Sequence, residues 1–197
     1  DFRHNKGDRV EKEFIFDTEV IDYSKPIPLP DNIPYDLLEP YQRQYVDRFL
    51  VSKGVTPHMF NKLNKQLLFA SKVGRLLVEC RTLDSSYFIG RDLSGKSLAK
   101  WLSYRETKEQ CYDINLTRDY EKVILTEDSL SALKVSFATG LTTLALNGTM
   151  LKDEVALICS DYSQAIVWLD GDEAGQKGTT KVVKDLRSKY DNKKYCF

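Results

Sequence analysis

The hydrophobic and polar positions of the chain follow two patterns, and the change between them falls near residue 115. Apolar residues recur at helical spacing over 40–49, and Gly54 marks the end of that predicted helix. Thr56 and Pro57 suit the N-cap and first position of a second short helix. Strand-like segments then follow, and they predict an antiparallel meander over 66–70, 76–81, 87–91 and 100–103.

From residue 122 onward, predicted strands and helices alternate. Residues 123–126 form a short continuous apolar run, which is typical of a buried parallel strand. Alternation of this kind indicates a parallel sheet. The predicted order after that first strand is helix 129–137, strand 141–146, helix 151–162, strand 165–169 and helix 175–190.

The two patterns together predict an α/β fold class, α+β over the whole chain. Residues 1–115 are expected to form an N-terminal mixed lobe with antiparallel strands, and residues 116–197 a lobe with a parallel sheet flanked by helices. The charged residues 1–13 are predicted to be a linker, and 14–16 a short strand. Five of the six prolines lie within 23–40, which favours an extended connector there.

Composition narrows the class of protein further. The chain has 197 residues, of which 42% are hydrophobic, so it can bury a core without cross-links. Its 29 Lys and Arg balance 29 Asp and Glu, which excludes a histone-like basic binder. The four cysteines form no CxxC pair, so we expect neither zinc nor a disulfide framework.

The sequence shows no membrane span and no signal peptide, so we expect an intracellular protein without a membrane partner. It begins with Asp1 and not with Met, which leads us to expect a segment of a longer protein.

Carboxylates follow two strands of the second half. Glu127 comes directly after the first, and Asp170 and Asp172 follow a later one with Gly171 between them. Ligand sites of open α/β sheets lie at such carboxyl ends, and carboxylates there can converge on a hard cation such as Mg²⁺. The structural alternative is that Asp172 caps a helix and Glu127 favours a helix start. The two motifs follow strands of the same predicted sheet, two βα units apart along the chain, which makes the metal site the more specific interpretation.

The residues Val123-Ile-Leu-Thr-Glu127 and Trp168-Leu-Asp-Gly-Asp-Glu-Ala-Gly175 resemble the TOPRIM domain of DNA primases, topoisomerases and some nucleases. Residues 138–144 are similar to the segment that primases place after the first helix. This resemblance covers residues 120–190. It implies that Glu127, Asp170 and Asp172 are the catalytic residues and the ligands of Mg²⁺ or Mn²⁺.

The segment before the second lobe distinguishes among these relatives. Residues 89–107 resemble the primase stretch that runs from a Gly-Arg strand to a Lys-aromatic-Leu segment, and 45–57 look like the helical lead-in of phage primases. Topoisomerases and recombination TOPRIM proteins lack this part. The chain therefore resembles the RNA polymerase domain of a phage or mobile-element primase or primase-helicase.

A primase of this type makes short RNA primers on single-stranded DNA from ribonucleoside triphosphates. The resemblance therefore implies a single-stranded DNA template and a replicative helicase as partners, the helicase fused in some relatives. It also implies a location in the cytoplasm, that of a bacterial host if the protein is phage-encoded. Zinc-binding residues are not expected in this segment.

The zero net charge conceals a basic segment. Residues 72–108 contain eight Lys and Arg against four Asp and Glu, a net charge of +4. Nucleotide polymerisation needs cations for template and triphosphate, facing metal-holding carboxylates. We expect the incoming nucleotide to contact Arg91, Lys96 and Lys100, and the template to contact Arg75, Arg81, Trp101 and Arg105. Packing of the Trp101 ring in the core is the alternative to base stacking.

Two departures from the primase pattern leave alternatives open. Ser131 stands where bacterial primases usually carry Asp, and Gln176 stands where Arg is frequent. They leave open whether one or two metal ions bind. A TOPRIM nuclease that cleaves phosphodiesters and a non-catalytic DNA-binding or replisome adaptor are the competing functions.

Overall fold

An antiparallel sheet forms the first half of the molecule. The computed structural model describes residues 15–17, 21–107, 110–117 and 121–189, and the backbone of 194–196. Two helices, α1 (Pro40–Ser52) and α2 (Pro57–Lys62), precede most of this sheet. Its strands, in spatial order, are β1 (Ile33–Pro34), β2 (Leu67–Ala70), β3 (Arg75–Arg81), β4 (Ser86–Asp92) and β5 (Trp101–Tyr104).

The predicted meander and both predicted helices are confirmed. The two-residue strand β1 and a 3₁₀ turn at Tyr35–Leu37 interrupt the proline-rich connector, where no strand was expected. Residues 15–17 form no strand, in contrast to the prediction for 14–16. Phe14, the predicted linker 1–13 and Lys108 of the basic segment lie outside the described residues.

The second half is a mixed sheet with four parallel strands. The strand order is β10 (Lys194–Cys196), β9 (Gln164–Trp168), β7 (Lys122–Thr126), β8 (Thr142–Ala145) and β6 (Asp113–Asn115). Strands β7, β8, β9 and β10 run parallel, and β6 pairs antiparallel with β8 at one edge. The predicted parallel sheet flanked by helices is thus confirmed, with the helices α3 (Ser129–Thr139), α4 (Asp153–Ser160) and α5 (Glu173–Lys189).

Strand β6 joins the second sheet although it precedes residue 116, where the predicted second lobe begins. The two sheets therefore divide the chain between Tyr104 and Asp113. No helix in the described part of the chain is long and apolar enough to cross a membrane.

Helices cover both faces of the second sheet. Val123, Leu125 and Val167 of the strands share one apolar core with α4 and α5. Helix α3 packs against β6, β7 and β8 on the other face, where the Thr143 hydroxyl donates to the Ala132 carbonyl over 3.0 Å. Leucines of α3 also pack into the core of the first lobe, so this helix is the layer between the two halves.

A buried ion pair connects the segment before β2 of the first sheet to the edge strand β6 of the second. The Lys65 ammonium donates to the Asp113 carboxylate, with 2% and 0% of the two side chains exposed. The same carboxylate accepts the backbone N–H of Arg81, at the end of β3, over 2.9 Å. The buried Asp113 carboxylate therefore helps to fix the position of β6 relative to the first sheet.

Replacing Lys65 with Met leaves the Asp113 carboxylate buried without its cation. Loss of one partner of a buried pair costs about 3–5 kcal/mol, so denaturant unfolding of Lys65→Met is expected to show a loss of that size. Lys177→Met is the matched control, because it breaks an exposed pair with Glu173 and is expected to cost less than about 1 kcal/mol. Equal losses in both variants would contradict the structural role of the buried pair.

Candidate active site

The pairing of β7 with β9 brings the predicted carboxylates to one edge of the second sheet. The two strands are parallel neighbours, and Thr126 pairs with Trp168. Glu127 follows Thr126 directly, and Asp170 follows Trp168 by two residues. We call Glu127, Asp170 and Asp172 the carboxylate edge.

The Glu127 carboxylate combines a buried oxygen with a raised pKa. Its Oε2 is buried and has no hydrogen-bond partner among the described residues. Burial raises the pKa of Glu127, and the negative charges of Asp170 and Asp172 raise it further, while a backbone hydrogen bond from Asp170 acts in the opposite direction. A buried carboxylate oxygen that faces other carboxylates is suited to a cation.

Asp128 and Ser131 together cap α3. One oxygen of Asp128 accepts the backbone N–H groups of Leu130 and Ser131, over 2.8 and 3.0 Å. Its other oxygen accepts the Ser131 hydroxyl over 2.6 Å. Ser131, the departure from the primase pattern, therefore ties Asp128 to the helix start and is not itself a carboxylate ligand.

A tight loop connects the carboxylate edge to α5. Asp172 Oδ1 accepts the Gly175 N–H over 2.8 Å, so Asp172 does cap a helix, as the structural alternative predicted. A Cβ atom at Gly175 would lie 2.0 Å from the carbonyl oxygen of Asp170. Only glycine can be accommodated so close to the Asp170 carbonyl. This close packing of Gly175 against Asp170 fixes the position of the Asp170 backbone.

A cleft of about 920 Å³ separates the carboxylate edge from the first lobe. Glu127 and Asp170 of the carboxylate edge line it. The first lobe contributes three of the predicted basic residues, which we call the basic wall: Arg91, Lys100 and Arg105. Trp101, 38% exposed, lies beside them.

Arg91 is held between two aromatic rings. Its guanidinium carbon lies 5.6 Å from the centre of the Phe49 ring and 5.5 Å from that of Trp101. Such cation–π contacts hold a guanidinium in place without neutralising its charge. Arg91 Nε is buried without a hydrogen-bond partner among the described residues. The basic wall therefore presents at least one preorganised cation to the cleft.

The donor set of the carboxylate edge fits a hard cation held by two carboxylates. In the described part of the chain, no three His, Cys, Asp or Glu side chains lie close enough together to hold a metal ion. Mg²⁺ is usually bound by one or two carboxylates, with waters and phosphates as the other ligands. The unpartnered Oε2 of Glu127, next to Asp170, matches that pattern.

Comparisons with known proteins agree with this arrangement. Residues 124–196 match the family model described as Toprim-like. This part of the chain is therefore similar to the Toprim-like family. A search of the curated proteins finds no sequence match.

Solved primase structures share the fold of both lobes. A DNA primase domain from Pseudomonas aeruginosa is 14% identical, with a TM-score of 0.64 over 81% of this chain and 64% of that one. A DnaG primase catalytic domain bound to single-stranded DNA is 14% identical, with a TM-score of 0.60 over 81% and 66%. The primase fragment of the bacteriophage T7 primase-helicase protein is 15% identical, with a TM-score of 0.56 over 75% and 63%. The chain thus spans less than two thirds of each, and at this identity the likeness concerns the fold.

Four predicted site residues lie outside the cleft between the carboxylate edge and the basic wall. Arg75 is fully buried, and its guanidinium donates to Gly90 and Ala99 carbonyls and to the Ser97 hydroxyl. These contacts give it a structural role in place of the predicted template contact. Arg81 is paired with Glu79 at 3.1 Å and also donates to backbone carbonyls. Lys96 and Asp172 are exposed and do not line the cleft.

Sequence reasoning missed three lysines that line the cleft: Lys53, Lys134 and Lys152. Lys134 lies one helical turn after Ser131 on α3, and this i, i+3 spacing is a signal that could have found it. Lys53 and Lys152 end and begin other helices, and they reach the cleft only through tertiary packing.

A series of hydrogen bonds connects the second half of the molecule to the first lobe beside the cleft. Ser129 donates to Asn147 over 2.9 Å, and Asn147 donates to the Tyr87 hydroxyl over 2.9 Å. Tyr87 in turn donates to the Tyr112 carbonyl, and Ser129 lies 3.2 Å from the Cys80 sulfur. Burial raises the pKa of both the Cys80 thiol and the Tyr87 hydroxyl, so both keep their protons. This series of hydrogen bonds begins at Ser129, two residues after Glu127, and connects the start of α3 to β3 and β4.

Alanine at Gly175 is expected to displace the Asp170 backbone. Overpacking typically costs about 1–3 kcal/mol, and we expect Gly175→Ala to lose at least that much in thermal or denaturant unfolding. Gly171→Ala, in the same loop, is the control because nothing lies within 4 Å of the added methyl group. Wild-type stability in Gly175→Ala would show that the loop does not depend on this contact.

The raised pKa of Glu127 predicts a pH-dependent stability in the metal-free protein. An ionised carboxylate with a raised folded-state pKa destabilises the fold at pH values above that pKa, and the penalty vanishes below its unfolded-state pKa. Glu127→Gln is therefore expected to raise the free energy of unfolding at neutral pH, with a gain that shrinks toward acidic pH. Denaturant titrations with a chelator across this range test it, and a gain independent of pH would contradict it.

Proposed function

We propose that this protein is a DNA primase that joins ribonucleotides into short primers on single-stranded DNA. The observation that carries the proposal is the arrangement of the cleft, where Glu127 and Asp170 face Arg91, Lys100 and Arg105. Phosphoryl transfer needs such opposed charges, because the protein's contribution is mostly positioning and electrostatic stabilisation. The fold shared with primase cores supports the same function.

Glu127 and Asp170 would hold Mg²⁺ or Mn²⁺. Asp172, whose Oδ1 accepts the Gly175 N–H at the start of α5, lies outside this two-carboxylate set. A divalent cation bound there would supply Lewis-acid stabilisation of charge on the reacting phosphate. Loss of the proton from Glu127 must precede cation binding, and its raised pKa makes that step sensitive to pH.

The basic wall would bind the triphosphate of the incoming ribonucleotide. Arg91 is fixed by its two aromatic neighbours, and Lys100 is exposed at the start of β5, with Lys96 in the preceding loop. Fixed cations stabilise the charge that spreads over phosphate oxygens during transfer without reorganising at the moment of reaction. Arg105 and the half-exposed Trp101 would contact the template strand by charge and by stacking.

The partners proposed for this chain follow from the same function. Single-stranded DNA is bound by one of the similar catalytic domains, and the phage T7 fragment comes from a primase-helicase protein. We therefore propose single-stranded DNA as template, ribonucleoside triphosphates as substrates and a replicative helicase as a partner. A phage or mobile-element origin and a cytoplasmic location belong to the same proposal.

A non-catalytic DNA-binding or adaptor role is the second candidate. It is favoured by Ser131, which engages Asp128 in helix capping where primases usually carry a further carboxylate. This candidate predicts binding of single-stranded DNA without metal-dependent turnover.

Primer synthesis on single-stranded DNA tests the proposal. The wild-type protein with four ribonucleotides and Mg²⁺ is expected to make short RNA products, and Asp170→Asn is expected to lower the rate at least about 100-fold because it removes a metal ligand. Asp161→Asn, an exposed carboxylate outside the cleft, is the matched control and is expected to keep wild-type synthesis.

The outcomes separate the candidates. Undiminished synthesis in Asp170→Asn would overturn the assignment of the carboxylate edge. A shortened DNA template would indicate a nuclease, and DNA binding without any product would indicate the adaptor.

A further inference from the structure

A second cavity lies next to the carboxylate edge, and no residue of the basic wall lines it. It has a volume of about 470 Å³, and no residue of the first lobe lines it. Its floor is Trp168, and its side is the face of α3 that carries Val135 and Ala138. We call this cavity the tryptophan groove.

The Trp168 ring is unusually exposed for a residue of a sheet strand. Its neighbours Val167 and Leu169 belong to the core beneath α4 and α5, so Trp168 points to the opposite face. Helix α3 packs mainly against β6, β7 and β8 on that face. The Trp168 side chain is 61% exposed and lines the groove.

The tryptophan groove is continuous with the catalytic cleft. Ser131, Lys134 and Asp170 line both cavities. The structure shows no carboxylate partner for Lys134 in the described part of the chain, so its charge is available at the junction. An aromatic platform next to a lysine is the combination that binds single-stranded nucleic acid by stacking and by phosphate contact.

Reaction geometry indicates which strand would occupy the groove, given the proposed function. In phosphoryl transfer the attacking and leaving oxygens lie roughly in line on opposite sides of the phosphorus atom. The proposed triphosphate site lies on the basic wall, so the leaving group departs on that side. The attacking 3′-hydroxyl must then approach the phosphorus atom from the side away from the basic wall. The groove, which reaches Asp170 and which no basic-wall residue lines, is a cavity that can hold the strand carrying it.

We propose that Trp168 is the stacking platform for a nucleobase of the strand whose 3′ end reaches Glu127 and Asp170. Lys134 contacts the phosphate that follows the stacked base. The α3 hydroxyls that line the groove already donate within the protein, Ser131 to Asp128 and Thr139 to the Val135 carbonyl, so recognition of the base by stacking is tolerant of sequence.

Tryptophan fluorescence tests this without requiring catalysis. The chain has two tryptophans, so Trp101→Phe leaves Trp168 as the only one. Titration of Trp101→Phe with a short oligo-dT in Mg²⁺, without ribonucleotides, is expected to quench Trp168. ATP alone is expected to leave the fluorescence unchanged, since its triphosphate binds at the basic wall. Quenching by ATP but not by oligo-dT would overturn the proposal.

Affinity measurements on an otherwise wild-type protein give the second readout. Trp168→Ala is expected to weaken oligo-dT binding about 5- to 150-fold, the range found when a base–aromatic stack is removed. Trp168→Phe keeps a ring and is expected to retain most of the affinity. Leu157→Ala removes an equally exposed apolar side chain from α4, on the other face of the sheet, and is expected to bind like the wild type.

The result is distinguishable from failure of the proposed function. Unchanged binding in Trp168→Ala, with a thermal unfolding midpoint like that of wild type, would overturn the stacking role even if primer synthesis depends on Asp170. Quenching of Trp168 by oligo-dT supports the groove even if the protein makes no primer. Loss of affinity in both Trp168→Ala and Leu157→Ala would also overturn it, because the effect would not be specific to the groove.

Discussion

The parallel pairing of β7 with β9 is the constraint on which the candidate active site depends. It sets Thr126 beside Trp168, so the turns that follow the two strands deliver Glu127 and Asp170 to the same edge. Like charges at that edge repel, and the repulsion together with burial raises the pKa of Glu127. The fold tolerates this cost because backbone pairing and the close approach of Gly175 to Asp170 hold the segments in place.

The candidate site also requires a fixed position of the first lobe relative to the carboxylate edge. Helix α3 starts just after Glu127 and packs its leucines into the core of the first lobe. The Lys65–Asp113 pair and the chain from Ser129 through Asn147 to Tyr87 add buried polar contacts between the halves. Buried polar networks are costly when incomplete, so they favour one relative arrangement of the two sheets. The width of the cleft, and the distance over which opposite charges act, follow from that arrangement.

The two cavities beside Asp170 have different linings. The larger cleft combines carboxylates with cations, as expected for phosphate chemistry, whereas the tryptophan groove away from the shared residues Ser131, Lys134 and Asp170 is lined mainly by apolar side chains and two threonines. Under the proposed function, the bases of a strand bind in the tryptophan groove, and the charge of the phosphates is stabilised in the larger cleft. This division of tasks assigns a role to an exposed aromatic ring that packing alone does not explain.

Local patterns were sufficient to predict most of the elements and the carboxylate edge. Apolar periodicity located α1 and α3, and the alternation of strands with helices predicted the parallel sheet, because both signals depend on neighbouring residues. Short edge strands such as β1 and β6 escaped prediction, since a strand of two or three residues carries little pattern of its own. The count of charged residues was a less reliable guide. It could not distinguish Arg75, which is buried and donates hydrogen bonds within the first lobe, from Arg91, which lines the cleft.

The sequence by itself therefore determined which residues follow which strand, and with that the identity of Glu127 and Asp170 as candidates. Only the tertiary structure decided which cations face them, that Asp172 caps α5 and that Lys134 and Trp168 border the same edge. The physical reason is that hydrophobic period and turn chemistry act over a few residues. The direction in which a charged or aromatic side chain points depends on packing between elements far apart in the chain.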